Sequence, residues 1–454
     1  MLKFFQLSLL FGGCILAGFG LWKITDSTGA WRASLKRTQG VSVPSNDACA
    51  IALVPHQGDE PIDREIRRLQ SEAQSGTKGI ETVKRLGWAF VGKARSSYDP
   101  GFYKLAEQCA LCVRSTQPND ADALLLQGHI LDSLHQFKEA ESVARKLVAI
   151  RNDSSDYGLL GDVLMEQGRL DEAIILYQKM TNLRPDLQAY TRIAHMRWLK
   201  GDLEGAIEAM QMVVAAGGSG EPEATAWAYA RLGSYQFQAG DIEAAAKSAN
   251  IALQFRANCA PALLLRGRIL LAQNKTSAAI ESLQHAAALT SLPEYQWVLA
   301  DALREIGDSS AAEELESRLL NSGAANDART FALYLITRGE QTQQALTLAQ
   351  RELSIREDIF TLDTVAWTLK ANNRLSEARY YSEKSLKEGT QDARLFYHAG
   401  AIAMASGDYA DAEVSFRHAD EIKQLLTPSE RVALNRQFAA LKPRAKSRTE
   451  AGSN

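Results

Sequence analysis

The chain has 454 residues, 46% of them apolar, and carries 51 Lys and Arg against 54 Asp and Glu, a formal net charge of −3. So even a balance excludes a global attraction to nucleic acid, and five cysteines in a chain of this length form no disulfide-dense pattern. Strand-type alternation is nowhere sustained, and GxxxxGK[ST], HExxH and GxSxG are all absent. We therefore expect no enzyme and no cofactor.

Residues 4–22 are almost continuously apolar, broken only by Gln6 and Ser8. As a helix the run would be about 28 Å long, enough to cross the hydrocarbon core of a bilayer. It is too long for a usual signal-peptide apolar region and lacks a small-x-small cleavage site, so residues 1–22 are expected to be an uncleaved, single-pass anchor. A cleaved signal peptide, a lipoprotein signal at Phe11-Gly12-Gly13-Cys14 and a buried core helix remain as alternatives. Lys23, Arg32, Lys36 and Arg37 on the far side favour a cytoplasmic body, but long domains after an N-terminal anchor are exported regardless of such charges. The expectation is a body on the exported, periplasmic side. Residues 23–79 read as a linker with Pro44, Pro55 and Pro61, ending in a helical stretch at 63–73 that can cap the first helices after it.

From residue 80 the pattern becomes helical and repetitive. Residues 154–185, SSDYGLLGDVLMEQGRLDEAIILYQKMTNLRP, read as two amphipathic helices around a turn at Gly168-Arg169. Tyr157, Leu160, Gly161 and Leu164 share a face of the first helix, and Ala173, Tyr177 and Met180 a face of the second. Gly161 and Ala173 are small where the helices must cross, and Pro185 ends the unit. The unit recurs: Gly128, Leu131, Ala140 and Leu147 before it; Leu232-Gly233, Gly240-Asp241 and Ala245 after it; then Gly267 and Ala279, Gly307-Asp308 and Ala312, Ala366 and Ala378, Gly400 and Ala412. Unit starts near 121, 154, 187, 226, 260, 293, 326, 359 and 393 are 33 or 34 residues apart, except for one 39-residue step that holds the loop at 217–222. An earlier copy starts near 80 and carries an insertion at 95–103 between its helices. Pro118, Pro185, Pro222, Pro261 and Pro293 all fall at unit boundaries.

This order of residues resembles the tetratricopeptide repeat (TPR) family, in which a large residue, Leu, Gly and an aromatic lie on the first helix and Ala, an aromatic and Pro on the second. The resemblance implies an all-α fold: a right-handed α-solenoid of about ten helix-turn-helix repeats over residues 80–426, in a bacterial-type, membrane-anchored multi-repeat protein. Residues 427–441 would cap the last repeat through Val432, Leu434, Phe438 and Leu441, and 442–454 would be a solvated basic tail with Lys442, Arg444, Lys446 and Arg448.

Cys109 and Cys112 form a CxxC on a second helix, readable as a redox pair, half a metal site, or two small buried residues. Cys49 and Cys259 stand alone, so no metal site is expected.

In the TPR family, stacked first helices line a concave groove, and repeat positions 2, 5, 9, 12 and 13 point into it. Carried over, these positions give Trp88, His129, His195, Trp198, Trp227, Arg268, Trp297, Arg304, Trp367 and Lys370 as candidate binding residues, beside Asp162, Glu166 and Asp301. All five tryptophans of the repeats fall there, and Trp and Arg are common hot-spot residues. The mixed charges select no ligand charge. The expected function is a membrane-tethered scaffold or adaptor that holds a partner protein or peptide in the groove. The alternative is an assembly or maturation factor for an exported or membrane complex, handling its substrates through Cys109 and Cys112. Partner identity and oligomeric state are not readable from the sequence.

Overall fold

A computed structural model of the protein describes residues 47–75, 79–216 and 222–451. The apolar run at 4–22, and the anchor reading with it, lies outside these residues, as do much of the linker and residues 217–221. Among the described residues the fold is all-α, with 23 α-helices, one 3-10 turn and no strand, and no helix is long and apolar enough to cross a membrane.

Helices α1 (Asp47–Ala52) and α2 (Pro61–Gln74) precede ten helical pairs. The pairs are α3 (Gly79–Ser97) with α4 (Gly101–Thr116), α5 (Ala121–Ser133) with α6 (Phe137–Ile150), α7 (Ser154–Glu166) with α8 (Leu170–Leu183), α9 (Leu187–Leu199) with α10 (Leu203–Ala216), and α11 (Pro222–Gln238) with α12 (Ile242–Phe255). They continue with α13 (Ala260–Ala272) and α14 (Thr276–Leu289), α15 (Pro293–Glu305) and α16 (Ser309–Asn326), α17 (Ala328–Arg338) and α18 (Thr342–Ile355), α19 (Ile359–Ala371) and α20 (Leu375–Leu386), and α21 (Ala393–Ala405) and α22 (Tyr409–Glu421). A 3-10 turn (Lys423–Leu425) leads into α23 (Pro428–Ala451).

The pairs form for local reasons. In Gly240-Asp241, Gly307-Asp308 and Gly407-Asp408 the glycine takes a positive φ that closes the first helix. The following Asp accepts a backbone N–H in the first turn of the second helix. Asn274 and Asn373 take the same left-handed turn where glycine is missing. Between units, Asp120, Asp186, Asp327, Asp358 and Asp392 cap the next first helix in the same way. The pair at 79–116 has no nine-residue insertion between its helices: α3 runs on through Arg95, Ser96 and Ser97, because Val91 and Ala94 continue its buried stripe. Only Tyr98, at positive φ, Asp99 and Pro100 separate it from α4.

The chain divides into two compact units, one ending at Leu164 and one running from Met165. In the N-terminal unit a disulfide joins Cys49 on α1 to Cys112 on α4, across 63 residues of sequence. The CxxC is therefore no redox pair: Cys112 is bonded elsewhere, and Cys109 is a fully buried thiol that burial pushes far above its ordinary titration range. Helix α2 packs on α3. Its Asp63 is buried, and burial works against its charge, but hydrogen bonds from His56 (2.7 Å) and Lys93 (2.9 Å) hold the carboxyl below its usual range.

In the C-terminal unit each second helix packs on the next first helix, and first helices also pack on one another, as α11 on α13, α15 on α17, α17 on α19 and α19 on α21. The first helices thus form an inner face. The second helices leave apolar side chains exposed, among them Ile175, Met212, Tyr380 and Val414. This unit also closes on itself across about 190 residues of sequence. Lys200 pairs with Glu388 (2.6 Å, |i−j| = 188), the Thr390 hydroxyl donates to the Leu199 carbonyl (|i−j| = 191), and Arg356 pairs with Glu166 (3.4 Å, |i−j| = 190). Helix α23 covers the last pair through Leu434, Phe438 and Leu441, which join Ala412 and Phe416 in one cluster. Val432, expected to share that role, is instead 66% exposed, because the helix turns that face to solvent.

Candidate functional site

The candidate residues fall into two settings. In the N-terminal unit, Trp88 on α3 is half-buried with its ring 5.4 Å from that of His129 on α5. His129 is almost fully buried, and Arg95 donates to its Nε2 (2.9 Å). Here the half-buried Trp88 ring lies over a buried imidazole that the Arg95 guanidinium holds.

In the C-terminal unit the inner face is closed in. Trp198 is 6% exposed, packed 5.9 Å from Tyr235 and stacked 5.7 Å from Phe360, a residue of the distant α19. Trp297 is 1% exposed, edge-on to Tyr334 (5.9 Å) with the Arg394 guanidinium 5.2 Å above its ring. Trp367 is 5% exposed and stacks on His398 (4.1 Å), whose Nδ1 meets Asp363 at 2.8 Å. These three indoles are wall rather than open surface, and their N–H groups have no hydrogen-bond acceptor among the described residues. For Trp198 this follows from the closure, which brings Phe360 onto it, whereas Trp297 and Trp367 are covered by the first helices that follow theirs, through Tyr334 and His398.

The remaining candidates are partly accessible. His195 contacts the Tyr235 hydroxyl (3.3 Å), and burial, seconded by the Arg231 charge, pushes its pKa down to about 3, so the imidazole is neutral at physiological pH. Trp227 is half-buried under the Arg231 guanidinium (5.2 Å). Arg268 pairs with Glu294 (2.6 Å), and Arg304 and Arg338 share Glu316 (2.5 and 2.9 Å). The Lys370 ammonium lies 4.3 Å above the Trp367 ring, and burial lowers its pKa. Among the described residues no group of three His, Cys, Asp or Glu is placed to hold a metal.

The most specific feature of the inner face was not legible in the sequence. The Ser429 backbone N–H (3.1 Å) and hydroxyl (2.5 Å) both donate to Asp301 Oδ2 on α15. Glu430, 1% exposed, receives two hydrogen bonds from Arg394 on α21 (2.6 and 3.2 Å). Burial opposes its charge, but Arg394 prevails and holds the carboxyl below its usual range. Burial raises the pKa of Asp301, with the Ser429 hydrogen bonds opposing. The inner face is therefore occupied by the chain's own segment leading into α23. Thr427-Pro428-Ser429-Glu430 is visible in the sequence as a helix start, but nothing local says where that start docks.

Profiles described as tetratricopeptide repeat match residues 157–187, 230–292 and 264–328. No curated protein matches the chain in sequence. Solved structures similar to it include Pseudomonas aeruginosa PilF, 15% identical over 44% of this chain and 90% of that one, with a TM-score of 0.38. A thermophilic TPR protein of Thermus thermophilus is 23% identical over 44% of this chain and 98% of that one, at 0.33. The human IFIT1 dimer with PPP-AAAA is 12% identical over 86% of this chain and 99% of that one, at 0.46.

Proposed function

The chain is a tetratricopeptide-repeat protein, and from that premise we propose that it is a membrane-tethered scaffold whose inner face holds a segment of a partner protein. Repeats of this kind stack into extended binding surfaces and mediate protein–protein contacts. The observation that carries the reading is that the inner face of the C-terminal unit already accepts a chain segment through side-chain-specific contacts, Asp301 to Ser429 and Arg394 to Glu430. In this reading Trp227, Arg268, Arg304 and Lys370, with His195 behind them, meet the partner, while Trp198, Trp297 and Trp367 shape the wall. In the N-terminal unit, Trp88 over His129 offers a second contact surface.

The tether is the apolar run at residues 4–22, with the repeats on the exported side. The Cys49–Cys112 disulfide supports that side, because such bonds persist in oxidising compartments.

The test is an affinity capture from detergent-solubilised membranes, with wild type beside Trp227→Ala/Arg268→Ala. A protein captured by wild type and lost from the variant is the expected result. Equal capture by both would remove the inner face from the account. Protease added outside intact spheroplasts reads the orientation: repeats that survive intact would contradict export.

A further inference from the structure

The segment from Gln424 to Glu430 shows what chemistry the inner face reads. Leu425 packs with Phe237, Leu265 and Ile269, and Gln424 Nε2 donates to the Phe237 carbonyl (3.2 Å). Leu426 joins the cluster of Trp297, Tyr334 and Tyr397. The Thr427 N–H donates to Glu430 Oε2 (2.9 Å) while the Glu430 N–H donates to Thr427 Oγ1 (3.4 Å), a reciprocal cap that fixes a helix start with Pro428 in its first turn. Asp301 then takes both a hydroxyl and a free helix-start N–H from Ser429, and Arg394 takes the carboxylate of Glu430 in fork geometry. The elements that supply these groups, α11, α13, α15, α17 and α21, are all first helices. Two apolar sockets, one acidic acceptor and one guanidinium, in fixed order, form a recognition site rather than generic packing.

We propose that this site is an acceptor for a partner segment of the same chemistry, two leucines followed by a Ser/Thr-Pro-Ser/Thr-Glu helix start, and that residues 422–441 are its resident, displaceable occupant. The inference rests on the inner-face reading above and names the partner's chemistry. Being covalently attached, the resident segment acts at the millimolar effective concentration typical of a short tether. A partner segment must outcompete it, and any weakening of the resident's own anchors opens the site.

The probe is a fluorescein-labelled synthetic peptide of residues 420–441, titrated against the full-length protein in detergent. The peptide should bind a Ser429→Ala/Glu430→Gln chain at least tenfold tighter than wild type. A peptide carrying the same two changes should bind neither chain. If the wild-type peptide fails to bind the folded variant, or both peptides bind equally, the proposal is overturned. Should the double variant not fold, hydrogen exchange on the wild type decides. Amides of 422–441 exchanging well ahead of α19–α22 support a displaceable segment, and exchange only with unfolding of those helices overturns it. Groove-dependent partner capture without peptide binding would remove this inference alone. Peptide binding with groove-independent capture would instead remove the function proposed above.

Discussion

Gly168 and Gly201 occupy the turns of two successive helical pairs at φ +76° and +83°, as Gly240 and Gly307 do in others at +80° and +85°. The four differ in what lies beyond them. A Cβ on Gly168 would sit 2.3 Å from the Glu357 carbonyl oxygen and one on Gly201 2.5 Å from that of Gly389, whereas nothing lies within 4 Å at Gly240 or Gly307. Alanine at Gly240 or Gly307 should therefore cost only the left-handed backbone penalty, about 1–2 kcal/mol. At Gly168 and Gly201 the opposing backbone must also retreat by about 1 Å to reach ordinary contact. That movement loosens the Arg356–Glu166 pair, the Thr390–Leu199 hydrogen bond and the Trp198–Phe360 stack. One hydrogen bond and one aromatic contact together add about 1–3 kcal/mol, for a total of about 2–5 kcal/mol. Equilibrium urea unfolding of the four single variants reads the difference directly. Equal losses at all four glycines would refute the closure of the C-terminal unit, since the backbone penalty is common to them and the contact is not.

Two other predictions concern the N-terminal unit. Closing a 63-residue loop, the Cys49–Cys112 disulfide should stabilise that unit by about 2–4 kcal/mol, so Cys49→Ser should lower its unfolding midpoint. In a Cys14→Ser background, denatured protein should titrate two thiols before reduction and four after; four before reduction would contradict the bond. Because the Asp63 carboxyl is held below its ordinary value of 3.8, its contribution is present above that pH and lost as pH falls through the depressed value. The N-terminal unit should lose stability as pH falls below about 4, and Asp63→Asn should flatten that slope; an unchanged slope would show that His56 and Lys93 do not hold the charge.

The features fixed by the sequence are those whose causes are local. Gly240-Asp241, Gly307-Asp308 and Gly407-Asp408 each carry their own turn and cap, and Pro222, Pro261 and Pro293 fall where helices start. Small residues at the crossings, such as Gly267 against Leu283 and Gly400 against Phe416, let the two helices of a pair close on each other. The repeat, and the all-α class with it, could be read from one unit and checked on the next. The candidate binding residues came from the resemblance to the TPR family, which places them on groove positions but says nothing of their exposure. Each pair adds a small rotation, and only the accumulated rotation brings Phe360 onto Trp198 and, across 188 residues of sequence, Glu388 to Lys200. The partner of Cys112 was equally out of reach: Cys109 lies one helical turn away in sequence, while the bond goes to Cys49 on a helix that packs there only in the folded unit. The occupant of the inner face depends on the same accumulation. Thr427 and Glu430 declare a helix start, but Asp301 and Arg394 meet it only because the first helices that carry them have been wound toward one another.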